Sequence, residues 1–351
     1  MPTAILTNLM ILLTFAVAAA LFAIDPDLYY RSAQEDAWLE WLTFSAFVVA
    51  AAGFVRHAIR DRRRRGGLPW FGIGLGLFCM LVALEEISWG QRLLGYLPPD
   101  YFLEQNYQQE FNLHNVLATE LRVAALQLIL IGYGVLLSAL TLNNKFSDWL
   151  SRVRVVAPPP ILIPGFIAMS VIYAWYPQNY TGEWVECAMG LGFTFIAALT
   201  AAGNKPRRVL WALSGVIILT ALAVSVQRFV RGSDAERSDV ARTEIGLLVN
   251  DFAGPKLHTA CGIHKRLYTF MREYNQPFLI RGEFAAKLRD SGAHARANYL
   301  LDPWNAPYWV RHQCSSAQTV AFVYSFGPNG RRDSTEWELQ DDDIGGYYPT
   351  R

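Results

Sequence analysis

"RHAIRDRRRRGG", residues 56–67, decides how the chain is read. Six of its twelve residues are arginine, and it separates two apolar runs at about 37–55 and 70–90. An uninterrupted run of about 20 apolar residues is what a helix needs to cross the hydrocarbon core of a bilayer. An arginine-rich hairpin between two such runs belongs on the cytoplasmic side.

The same pattern recurs along the chain. Further apolar runs lie at about 4–24, 120–141, 160–177, 184–203 and 209–227, giving seven expected spans. The link after the fourth run carries Lys145, Arg152 and Arg154, and the link after the sixth carries Lys205, Arg207 and Arg208. The alternate links hold Arg31, Arg92 and, in "YPQNYTGEW" (176–184), no basic residue. The alternation expects the amino terminus inside and the segment after residue 230 outside. It also accounts for the basic residues without a nucleic-acid partner. Only 17% of the 351 residues are charged and 52% are hydrophobic, against about 25% charged in an ordinary soluble protein. The long first run, followed by "IDPDLYY", reads as a retained helix, not a cleaved signal.

Composition changes at "QRFVRGSDAERSD" (227–239), so two domains are expected: 1–230, a seven-helix membrane domain in contact with the lipid bilayer, and 231–351, a soluble one. The second opens with an expected helix, capped by Ser233 or Asp234, with Val240, Ile245, Leu248 and Phe252 on its apolar side. Another helix is expected near 257–274, followed by β-runs "YWVRH" and "TVAFVYSF". Cys79 and Cys187 fall inside spans as small apolar groups. Cys261 and Cys314 fall in the second domain. An oxidising compartment would let them pair, whereas a cytoplasmic location would leave two free thiols.

Within spans, glycines and carboxylates stand out. Gly72 and Gly76 share a helix face and permit close packing. "LVALEEISWG" (81–90) puts Glu85 and Glu86 roughly 25 Å from the inner end of the third span, near the outer interface. Glu35, Asp36 and Glu40 at the start of span two, and Glu183 and Glu186 at the start of span six, fall on the same expected side. So does "NYQQEFNLHN" (106–115). There Asn106, Gln108, Glu110, Asn112 and His114 alternate with Tyr107, Gln109, Phe111 and Leu113, the period of an extended segment. Two readings of this outer polar cluster stand side by side. Glu85, Glu86, Glu110 and His114 form a cation site, or carry a general base of a membrane enzyme or transporter. Otherwise Glu85 and Glu86 bond Gln91, Asn112 and loop backbone, and Glu40, Glu183 and Glu186 are solvated helix ends favoured by the macrodipole. A hard cation suits the acid-rich set better than zinc, since His114 is its one histidine. Span seven has no histidine, which excludes the H-x-x-x-H pair of the seven-helix ceramidase and adiponectin-receptor hydrolases.

Three motifs in order carry a resemblance. "LLDPWNAPYWVR" supplies Asp302, Pro303, Trp304, Pro307 and Tyr308. "FVYSFGPNGRRDS" supplies Tyr324, Ser325, Gly327 and Gly330. "DDDIGGYY" supplies Asp342, Asp343 and Ile344. Over about 233–348 the chain resembles the C-terminal part of the major pseudopilin of type II secretion systems. The "EEISWGQR … NLHN" pairing is similar to uncharacterised bacterial membrane proteins. The pseudopilin resemblance implies a small α+β head, a bacterial inner membrane with the head in the periplasm, and a final loop that binds calcium. Asp333, Asp342 and Asp343 are its expected ligands. Glu336, Glu338, Asp341 and the carbonyls near Phe326 and Pro328 are further oxygens. Asn305 replaces the family's glycine, Asn329 stands where aspartate is usual, and Arg331 and Arg332 flank the loop. No leader with Phe-Thr-x-x-Glu precedes span seven. The expectation is therefore a fixed anchor that displays a head to a protein partner or senses an external condition, not a filament subunit.

Overall fold

The computed structural model describes residues 2–33, 37–94, 99, 101–102, 111–114, 116–175, 180–200, 206–230, 232–252, 261–267, 270, 302–304 and 306–349. It is mostly helical with a small antiparallel sheet, and it divides into two compact units. The first is Met1–Trp89 with Leu117–Ser225; the second is Gly90–Val116 with Val226–Arg351.

The helices of the first unit are α1 (Pro2–Ile24), α2 (Pro26–Ser32), α3 (Trp38–Arg65) and α4 (Trp70–Glu86). After the short α5 (Gln91–Leu94) of the second unit come α6 (Thr119–Leu140), α7 (Asn144–Arg152), α8 (Ile163–Trp175), α9 (Thr181–Thr200) and α10 (Pro206–Val230). Among the described residues five helices, α1, α3, α6, α9 and α10, are long and apolar enough to cross a membrane. The expected third and fifth spans are shorter: α4 has 17 residues, and the other apolar helix runs Pro160–Trp175. The third span, expected to reach residue 90, ends at Glu86. Ser88, Trp89 and Gly90 have φ of 46°, 57° and 76°, and three successive left-handed residues cannot continue a right-handed helix.

Small residues let α3 sit between α4 and α9. A Cβ on Gly76 would lie 3.1 Å from Val55, and one on Gly72 3.4 Å from Ala58. A Cβ on Gly53 would fall 2.7 Å from that of Ala197. Close backbone approach is how helices associate where lipid gives no hydrophobic drive. The buried aromatics Phe47, Phe54, Phe166 and Phe193 fill the space the glycines open. Cys79 is a buried free thiol in this core, and Cys187 is one in a separate cluster with Tyr29, Leu39 and Trp184. The middle of α6, Leu128–Leu137, is π-helical, a wider coil than the α-helix. There Gly134 lies flush against the ring of Phe166. By contrast α1 and α10 present Leu9, Leu12, Ile217, Ile218 and Leu222 outward, a composition that suits acyl chains.

In the second unit, α11 (Asp234–Phe252) packs on a sheet of order β1–β2–β3–β4, all antiparallel: Ile263–Arg266, Trp309–Cys314, Thr319–Ser325 and Ile344–Tyr347. Ser233 caps α11 as expected, donating to and accepting from Glu236 in a reciprocal box. Ile245 and Leu248 face Val310, Val323 and Tyr308 in the core. The helix expected near 257–274 is corrected: Ile263–Arg266 is strand β1. Its register with β2, Ile263 opposite His312, sets Cys261 opposite Cys314, and the two form a disulfide with Cα atoms 5.5 Å apart. Cross-strand pairing and the covalent bridge outweigh a weak local helix preference.

Candidate functional site

The site with the most defined geometry is the loop of the second unit between β3 and β4. Its frame is the Asp302 carboxylate, which is fully buried. Asp302 Oδ1 accepts from the backbone N–H of Trp304 and of Ala306, both at 2.9 Å, closing the turn after β1 and before β2. Its Oδ2 accepts from the Ser325 hydroxyl, and Ser325 Oγ in turn accepts from Gly327 N at 2.9 Å. The first two sequence motifs are thus one hydrogen-bonded clip that aims the loop. Gly327 (φ 62°) is required there, because a Cβ would fall 2.0 Å from the carbonyl oxygen of Asp342.

The clip delivers three carboxylates to one place. Asp333, Asp342 and Asp343 each offer an oxygen within 4.8 Å of the others. The Asn329 side-chain amide donates to Asp333 Oδ2 and to Asp342 Oδ1, both at 2.6 Å, and its backbone N–H donates to Asp342 Oδ2 at 2.9 Å. Asn329 therefore sits between two of the acids. Asp343 is 8% exposed. Its Oδ2 accepts from Asp333 N at 3.1 Å and Ser334 N at 2.7 Å, while its Oδ1 is sealed from solvent with no hydrogen-bond partner. Burial pushes the Asp343 and Asp342 carboxyls above the usual range. Asp333 is held below it, chiefly by the Asn329 amide. Arg332 bonds the Ser334 carbonyl at 3.1 Å, and Glu336 pairs with Arg311 at 3.1 Å. Glu336, Glu338 and Asp341 are exposed.

The expected outer polar cluster is distributed over both units. In the first, Glu86 is buried and groups with Glu183 and Glu186, their oxygens within 4.8 Å of one another. Glu85 Oε1 accepts from the Trp89 indole N–H at 2.8 Å, a bond the reversed turn makes possible. Glu40 is half-buried in the first turn of α3. In the second, Gln91 and Asn112 are buried, Gln91 Oε1 accepts from Phe111 N at 2.7 Å, and His114 is half-buried. Glu35, Asp36, Asn106 and Glu110 lie outside the described residues. Glu183 was not among the candidate ligands of the sequence reading; its i,i+3 spacing from Glu186 on α9 was the available signal.

Compared with protein-family models, with curated proteins and with solved structures, the chain finds no match. The disulfide and the helices long enough for a bilayer stand on the structure alone.

Proposed function

We propose that this is a bacterial inner-membrane protein of seven spans, amino terminus inside, presenting a pseudopilin-like, calcium-stabilised head in the periplasm for docking a partner or sensing. Charge alternation of the links supports the orientation, and the Cys261–Cys314 bridge supports an oxidising compartment for the head. The observation that carries the calcium reading is Asp343 Oδ1, a buried carboxylate oxygen without a partner, held among the oxygens of Asp333 and Asp342. One buried carboxylate oxygen left without a donor costs about 1–3 kcal/mol, and a hard cation that takes all-oxygen ligands offsets that cost. Asp333, Asp342 and Asp343 would hold the ion. Half a turn of the Asn329 amide would present its oxygen in place of its NH2, at the cost of the bond that oxygen accepts from Arg331 N at 2.6 Å. Bound calcium would supply charge neutralisation that fixes the loop; the Asp302–Ser325 clip positions the loop in either state.

The test is thermal unfolding of the purified full chain in detergent, with calcium or with chelator. Calcium should raise the melting temperature of the wild type and leave Asp343→Asn unmoved. The variant in chelator should melt no lower than the wild type, since the buried charge is removed. A wild type indifferent to millimolar calcium would reject the reading.

A second reading is a membrane enzyme or transporter with its own cation site, favoured by the gathering of Glu86, Glu183 and Glu186. It expects Glu86→Gln to abolish transport or turnover while calcium still stabilises the head.

A further inference from the structure

Between the membrane-length α6 and the apolar α8 lies α7, whose nine residues read "NKFSDWLSR". The Asn143 side chain starts the helix by accepting from Lys145 N at 3.0 Å. Phe146, Trp149 and Leu150 share about 100° of its circumference. Leu150 is buried, whereas Phe146 and Trp149 are 47% and 55% exposed. Lys145 and Arg152 border Trp149, and Asn144 and Asp148 lie on the far side. The exposed apolar row does not begin in α7. Leu136 and Leu140 of α6 and Leu142 of the turn lead into it.

α7 is fastened to the α3–α4 hairpin. The Arg65 guanidinium donates to the Ser151 carbonyl at 2.8 Å and to the Ser151 hydroxyl at 3.2 Å. The Trp70 indole N–H donates to the Val153 carbonyl at 3.0 Å. Trp70 opens α4 and is itself exposed. Two elements far apart in the chain therefore bring an exposed tryptophan to the same end of the bundle.

We propose that α7 is an interfacial helix, with its Phe146–Trp149 edge in the headgroup–acyl boundary of the bilayer on the side of the arginine hairpin. The 22 residues of α6 span about 33 Å against a hydrocarbon core of about 30 Å, so a helix that starts four residues later starts at that boundary. Aromatic rings beside basic side chains are the composition of helices that lie in the interface, and tryptophan sits at headgroup level. A second copy of the chain is the weaker occupant. Two half-exposed rings offer far less than the roughly 800 Å² per partner that a stable protein interface buries. The inference rests on the bundle lying in a bilayer, as above, and not on the calcium reading of the head.

Spin labelling of the full chain in phospholipid vesicles tests it, on a Cys79→Ala, Cys187→Ala background. Labels are placed singly at Phe146→Cys, Trp149→Cys, Asn144→Cys or Asp148→Cys. At 146 and 149 dissolved oxygen, which concentrates among acyl chains, should relax the label more than a water-soluble nickel chelate does. At 144 and 148 the order should reverse. Native Trp149 gives a second measurement that needs no cysteine variant. Lipid brominated high on the acyl chain should quench a larger fraction of the wild-type emission than of Trp149→Phe. Nickel-dominated relaxation at 146 and 149, or equal quenching of the two proteins, would overturn the proposal. So would dipolar broadening between labels at 149 on two chains, which would assign the face to a second copy. Labels at Leu12→Cys of α1 and Ile218→Cys of α10 report the bilayer reading alone. Oxygen dominance there with nickel dominance at 146 and 149 rejects only the interfacial helix; nickel dominance at all four positions rejects both.

Discussion

The Tyr308 hydroxyl donates to Glu244 Oε2 at 2.7 Å, with both side chains sealed from solvent. This bond ties the middle of α11 to the sheet at the strand entry set by Pro307. A buried carboxylate on an otherwise apolar helix face is tolerated only with donors.

Tyr308→Phe removes one of those donors while keeping the ring. The head should lose about 1–3 kcal/mol, read by chemical denaturation of the full chain followed at tryptophan. Glu244→Gln, which drops the charge and keeps an acceptor, should cost less. A loss no larger for Tyr308→Phe than for Glu244→Gln would mean the pair is not a clamp.

The disulfide closes a separation of 53 residues. In the chain-entropy view such a bridge contributes roughly 4 kcal/mol. Cys261→Ser with Cys314→Ser should lower the head's melting temperature markedly, and reductant should lower the wild type to the same value. Reductant should have no further effect on the double variant.

His264 lies between the rings of Trp309 and Tyr324, at centroid distances of 4.7 and 6.2 Å, and bonds the Tyr324 hydroxyl at 2.8 Å. Burial, with Arg311 and Arg332 adding to it, pulls its pKa down from 6.5 to about 4. The unfolded chain therefore takes up a proton before the folded head does. His264 contributes its stability above pH 6.5, and that contribution is lost as pH falls toward 4. The loss should be about 1–2 kcal/mol, allowing for solvent screening of a half-buried ring. His264→Gln, which cannot titrate, should flatten this part of the stability–pH curve; an unchanged curve would assign the acid sensitivity elsewhere.

Gly134 brings α6 close to α8. A Cβ there would lie 2.1 Å from the Phe166 ring. Gly134→Ala should destabilise the bundle by about 1–3 kcal/mol, seen as a lower melting temperature in detergent. Adding Phe166→Leu should restore part of the loss, because it removes the ring the methyl meets.

Much was legible in the sequence where a single local rule governs. The arginine hairpins, the glycine face of α4, the Ser233 cap and the β-runs of 309–325 all follow from spacing and composition. The pairing of Cys261 with Cys314 needed only a compartment. What was not legible depended on partners far along the chain. The helical reading of 257–274 gave way to β1 because Ile263–Arg266 finds a ladder in β2. Glu85 and Glu86 were both read into one outer cluster, yet the reversal at Ser88–Gly90 turns Trp89 back onto Glu85 while Glu86 joins Glu183 and Glu186.

By itself the sequence marked runs apolar enough to span a membrane and a change of composition near residue 230, because hydropathy and charge act on runs of residues and need no neighbours; that Gly90–Val116 groups with Val226–Arg351 came only from the fold. Only the tertiary structure decided that Asp333, Asp342 and Asp343 converge and that Asp343 Oδ1 is left without a partner. Likewise, only packing set Arg208 beside Arg56 and Arg60. Convergence of charge is a property of distance, and distance between residues far apart in the chain is fixed by packing, not by spacing.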